Sequence, residues 1–293
     1  MDPPNVLWFA GAYATSFAAY AVLETLPDSH DSLWPFLASI GLLAAFAAAS
    51  VVLLRQNWWI PSGLALALAV SIVPAVGVAF LRLIGADSDS LPTGDFSWGA
   101  FAVAIATAAA GLVAYARTRF PFLFVLVVGA LLVAAQLLVP AFVDAPHGRD
   151  HAVAAVAAGG LAVLAGLGLD GAKRRRDAFW FHVLGWFSVG AGLAFFTIEP
   201  GGDHDVRGWI PMLVAGVLVL AASALVGRAS WAVYGVLGYY APVVHYMSSG
   251  LDEDRWTFAL VLLAVGLSIF AFGLLLQRFG GVWRRRPPAE APL

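Results

Sequence analysis

The groups in this 293-residue chain that could do acid, base or ligand chemistry are six histidines and eighteen carboxylates; cysteine is absent. Lack of cysteine removes disulfides, thiolate metal sites and thiol nucleophiles. His30, His147, His151, His204 and His245 fall among Asp28, Asp31, Asp144, Asp150, Asp203 and Asp205, and imidazole beside carboxylate is zinc-like chemistry. His147, His151 and His204 are the weak metal candidates. His147 and His151 stand four apart, which aligns them if a helix begins early, although Pro146 and Gly148 argue against that start. A solvated acidic rim accounts for the same residues without a metal, and no resident metal or cofactor is expected.

Glu24 and Glu199 end equivalent apolar segments and form a candidate pair. Brought together, two carboxylates would share a cation or a proton; apart, each simply ends its helix in hydrated headgroups. Gln136 is the one deep amide, either an interhelical hydrogen bond or a solute contact. Tyr239, Tyr240, His245 and Tyr246 surround Pro242, which should kink its helix and free backbone groups to line a cavity. Otherwise these tyrosines anchor the interface. Enzyme motifs are poor: residues 166–170 read GLGLD without a second buried aspartate, no GxSxG occurs, and the DSDS run at 87–90 reads as a loop turn. The chain is therefore expected not to be an enzyme.

The elements that must position these groups follow from composition. Apolar residues make up 61% of the chain and charged residues 12%, against about 25% charged in an average soluble domain. One soluble core of this length cannot hide so much apolar surface. A membrane helix needs about 20 apolar residues with its charges at the ends. Reading from break to break gives ten such segments, at 5–26, 33–54, 58–84, 97–116, 120–143, 151–170, 178–199, 208–227, 230–249 and 256–277. The expected fold is all-α, a polytopic integral membrane protein of ten transmembrane helices, with no soluble domain and no separate signal peptide.

Orientation follows from the basic residues. Twelve of the sixteen, including Arg55, Arg117, Arg119, Lys173, Arg174, Arg175, Arg176 and Arg228, fall in one set of connections and tails, while fourteen of the eighteen acids fall in the other. The positive-inside rule then places both termini on the cytoplasmic side of the cytoplasmic membrane. Trp34, Trp98, Trp209 and Trp256 open four inward-running segments, as interfacial indoles do. Besides the bilayer itself, anionic lipid is the partner expected at Lys173, Arg174, Arg175 and Arg176; nothing suggests nucleic acid.

Laying 19–37 over 194–212 aligns Glu24 with Glu199, Asp28 with Asp203 and Trp34 with Trp209; a two-residue gap then pairs Arg55 with Arg228 and Trp58 with Trp231. This suggests a parallel four-helix repeat, spans one to four matching spans seven to ten, with spans five and six inserted. Shared charge asymmetry and aromatic belts would produce the same likeness without duplication. On this division the membrane domain covers 1–277, comprising half A at 1–116, a hairpin with its basic loop at 117–177 and half B at 178–277, and 278–293 form a basic, Pro-rich cytoplasmic tail. The expected function is transport or accommodation of a small neutral, aromatic or lipophilic solute, along a path lined by spans one, three, seven and nine. The alternative is a non-transporting sensor or partner subunit whose outer histidines and acids respond to pH or divalent metal; a membrane-embedded enzyme is third.

Overall fold

The computed structural model describes residues 3–25, 33–86, 96–195 and 209–250, with isolated helical positions at 263, 266, 267 and 270. Among the described residues there are ten helices and no strand: α1 (Pro3–Glu24), α2 (Trp34–Arg55), α3 (Trp59–Leu83), α4 (Trp98–Thr118), α5 (Leu123–Leu137), α6 (Val139–Phe142), α7 (Gly148–Gly171), α8 (Arg175–Phe195), α9 (Trp209–Val226) and α10 (Ala229–Gly250). Helices are what lipid demands, because each backbone amide must find its partner within the segment. Six described spans, α2, α3, α4, α5 with α6, α7 and α8, are long and apolar enough to cross a membrane. Large apolar side chains point outward, Phe17 and Phe142 both being 82% exposed. In water such a surface would aggregate; in a bilayer it is ordinary. The chain thus has the build of a multi-pass membrane protein. The expected tenth segment, 256–277, and the tail lie outside the described residues apart from those four positions.

Two of the differences from the expected segments bear on the polar residues. The segment at 120–143 is broken at Leu138, so that α5 is followed by the four-residue α6. Pro140 stands in the first turn of α6 and, having no N–H, leaves the Gln136 carbonyl without a helical donor. The segment expected at 151–170 begins three residues earlier, at Gly148, where the Asp150 carboxylate accepts the His147 backbone N–H at 2.9 Å. His147 is therefore the extended N-cap residue and His151 lies inside the helix.

The chain divides into two compact units, 1–189 and 190–293. In the first, Leu64, Val70, Tyr115, Leu123, Phe124 and Val127 form the core between α3, α4 and α5. One end of this unit is aromatic: Trp8 meets Trp58, Phe9 meets Phe122, Phe122 meets Trp180, and the Trp59 indole donates to the Thr118 carbonyl at 3.3 Å. These contacts gather the start of α1 and the turns α2–α3, α4–α5 and α7–α8, with their basic residues, at a single end. α7 and α8 cross through Gly159 and Gly185, where a Cβ on Gly159 would stand 2.6 Å from the Gly185 carbonyl oxygen. In the second unit α9 and α10 pack through glycine as well, a Cβ on Gly216 standing 2.4 Å from the Gly238 carbonyl carbon. Such small-residue contacts let backbones approach where no hydrophobic force drives helices together.

The short connections share a device. Asn57, Arg119, Lys173 and Gly227 each have left-handed backbone after a helix end. Around Lys173 the Arg174 N–H donates to the Leu169 carbonyl at 2.9 Å, and around Asn57 the Trp58 N–H donates to the Leu53 carbonyl at 3.0 Å. These are Schellman closures, which satisfy carbonyls the helix leaves open.

Candidate functional site

Polar side chains in the first unit are few and are mostly spent in pairs across helices. Gln136, one residue from the end of α5, meets His151 in the second turn of α7. The Gln136 amide Nε2 donates to the His151 carbonyl at 3.3 Å, and its Oε1 lies 3.1 Å from His151 Nδ1. A carbonyl can only accept, which fixes the amide's orientation and makes Nδ1 the protonated ring nitrogen. His151 Nε2 is then a bare acceptor, buried and without a hydrogen-bond partner. Two of the sequence candidates are thus brought together. Gln136→Leu is expected to cost about 0.6 kcal/mol, the average for an interhelical hydrogen bond, and no more than about 1.7. A double-mutant cycle with His151→Leu checks it, and a cost that persists unchanged in the His151→Leu background excludes the coupling.

Sequence reasoning missed a second pair. His182, 0% exposed on α8, donates from Nε2 to the Asp170 carboxylate at 2.9 Å. Room for the ring comes from Gly166, where a Cβ would stand 2.9 Å from His182 Cε1. The signal was present: Gly166 precedes Asp170 by one helical turn, on the same face, and the 172–174 turn folds α8 back over both.

At the basic end, Tyr115 of α4 donates its hydroxyl to Asp177 Oδ2 at 2.7 Å and accepts from Arg174 Nη2 at 2.7 Å, while Arg174 Nε donates to the same carboxylate oxygen at 2.8 Å. The triangle is closed. Asp177 is buried, but the Arg174 side chain is 41% exposed. Its hydrogen bonds to Asp177 and, next, to Tyr115 raise the guanidinium pKa further above its ordinary value, so the positive charge persists at every working pH.

The described apolar cleft lies between α1, α3 and α5, encloses about 140 Å³ and is lined by Phe9, Tyr13, Ser16, Leu64, Ser71 and Phe122 among others. Above it the Tyr20 hydroxyl donates to the Ser71 carbonyl, one residue beyond the Val70 carbonyl that Pro74 leaves without its helical donor. Spans one, three and five wall this cleft. Glu24 and Gln136, the path candidates described in this unit, are not among those lining residues. Glu24 ends α1, exposed. Tyr239, Tyr240 and His245 belong to the second unit, where His245 stacks on Trp209 with ring centroids 4.2 Å apart and Pro242 is fully buried. Only the backbone of Tyr246 is described. Glu199, His30 and His204 lie outside the described residues. Among the described residues no three His, Asp or Glu side chains converge as metal ligands.

No family model matches the chain, and neither a curated protein nor a solved structure is detectably similar to it.

Proposed function

We propose that the chain is a ten-span protein of the cytoplasmic membrane, both termini inside, that accommodates a small lipophilic or aromatic solute drawn from the bilayer. Its role is binding or transport, without catalysis. The observation that carries this reading is the cleft between α1, α3 and α5. Its volume of about 140 Å³ matches that of a dry cavity able to take up benzene. The aromatic walls supplied by Phe9 and Phe122 suit a flat apolar guest, and Tyr13 and Ser16 offer it hydroxyls.

The absence of cysteine gives a clean labelling background. Ser16→Cys places a thiol in the cleft, and Phe17→Cys places one on the exposed face. Benzene, toluene and indole are expected to slow modification of the first by at least about threefold, the protection expected when a guest at a few times its dissociation constant occupies the site, and to leave the second unchanged. Equal rates at Ser16→Cys with and without every member of the series would remove the proposal.

A second reading, a non-transporting sensor or partner subunit, is favoured by one observation: the buried Nε2 of His151 has no hydrogen-bond partner.

A further inference from the structure

At the basic end of the first unit a cavity of about 430 Å³ opens between the α4–α5 and α7–α8 turns, lined by Trp59, Tyr115, Arg119, Pro121, Lys173, Arg174, Arg175, Arg176 and Asp177. Five cations face it against one carboxylate, and that carboxylate is buried under Arg174 and the Tyr115 hydroxyl. Of the lining cations, Arg119, Lys173 and Arg176 are not engaged by that carboxylate. At the end of α2, by contrast, Arg55 is the one basic residue of the last turn.

Two features make this more than a run of charges. Arg174 is held by two hydrogen bonds, to Asp177 and Tyr115, which are themselves hydrogen-bonded to each other, and the Arg119 guanidinium lies over the Tyr115 ring, 5.7 Å from its centroid. These fixed positions lower the ordering cost of gripping an anion. The backbone is the second. Left-handed φ favours glycine, and Gly227 and Gly85 take such positions elsewhere. Here they are taken by Arg119 at φ 53° and Lys173 at φ 60°, two of the four non-glycine residues so strained. The chain accepts strain at both turns where the strained side chain is a cation facing the cavity.

We propose that this cavity is a binding site for the phosphate headgroup of an anionic phospholipid. Arginine forks suit phosphate oxygens. Lipid is favoured over a soluble phosphate by position: Trp59 lines the cavity and, through Phe120 and Phe122, joins an aromatic cluster that includes Trp180, and indoles mark headgroup depth. With the basic end on the cytoplasmic side, the site faces the leaflet whose anionic lipids attract such clusters. This inference is independent of the apolar cleft.

The test is native mass spectrometry of the full chain released from detergent, titrated with phosphatidylglycerol or phosphatidylcholine of the same acyl chains. One phosphatidylglycerol is expected to be retained in preference to phosphatidylcholine. The triple variant R119Q/K173Q/R176Q is expected to lose that affinity on the order of 100-fold, since each basic residue near the surface contributes roughly a factor of five. A control with the same charge loss, R278Q/R284Q/R285Q, is expected to keep it. Arg119→Gly and Lys173→Gly separate binding from folding, because they relieve the left-handed backbone while removing the cations: thermal stability should hold or rise as lipid retention falls. Equal retention of the two lipids, retention unchanged in the triple variant, equal loss in the tail control, or displacement of phosphatidylglycerol by millimolar inorganic phosphate would each overturn the assignment.

Discussion

Gly159→Val is expected to cost about 3 kcal/mol, at or beyond the upper end of what overpacked cores show. Helices α7 and α8 touch at this residue through their backbones. A Cβ there would lie 2.6 Å from the Gly185 carbonyl oxygen, 2.8 Å from the Val189 amide nitrogen and 2.9 Å from Val189 Cγ2. Two of the three atoms are main chain, so no rotamer change relieves the clash and the helices must part. The neighbour supplies the control. A Cβ on Gly160 meets nothing within 4 Å, and Gly160→Ala should be neutral or gain up to about 1 kcal/mol from helix propensity. Thermal unfolding followed by size-exclusion chromatography compares the two, with a strong loss of monodisperse protein expected for Gly159→Val alone. Indistinguishable midpoints would mean that the two helices do not cross here.

Separating Asp170 from His182 should have an effect of similar size. Asp170→Ala leaves a fully buried ring nitrogen without its carboxylate, a loss of about 1 to 3 kcal/mol for an unsatisfied buried group. Removing both partners is cheaper than removing one, because neither is then left facing the other's vacated place. The double variant Asp170→Ala/His182→Leu is therefore expected to be more stable than the sum of its single changes predicts, by about 1 kcal/mol or more. Strict additivity in the cycle would show that the pair is not coupled.

Helix identity and ends were legible wherever two physical signals coincided. Trp34 and Arg55 bound α2 within one residue of the segment read from sequence, as Trp59 and Leu83 bound α3, because an indole and a guanidinium both seek the headgroup layer. The end of α5 carried weaker signals. Pro140 sits inside an unbroken apolar run, and only its missing N–H shows that the helix yields there. Pairings were less visible still. Counting hydropathy treats His182 as one tolerated polar residue in a long span, and the basic cluster as an orientation marker. Both readings assign a depth to each charge but give it no neighbour. Arg174, Asp177 and Tyr115 come from different helices or turns, 59 to 62 residues apart between α4 and the α7–α8 turn, and such convergence depends on which helices adjoin. For the same reason the neighbourhood of α5 was not legible: the repeat argument ranked helices by resemblance, whereas α5 stands beside α1 and α3 through the Phe9–Phe122 contact and the core they share.

The turns impose a mechanical constraint. Three residues join α2 to α3, four join α4 to α5, three join α7 to α8 and two join α9 to α10. One helical turn of sliding is about 5.4 Å, and connections this short have little slack to yield it, least at α2–α3 and α7–α8, whose amides are already locked into Schellman closures. Within each such hairpin the two rods are bound to rise or tilt together, so a rearrangement within the first unit has to carry the α2–α3, α4–α5 and α7–α8 hairpins as whole bodies.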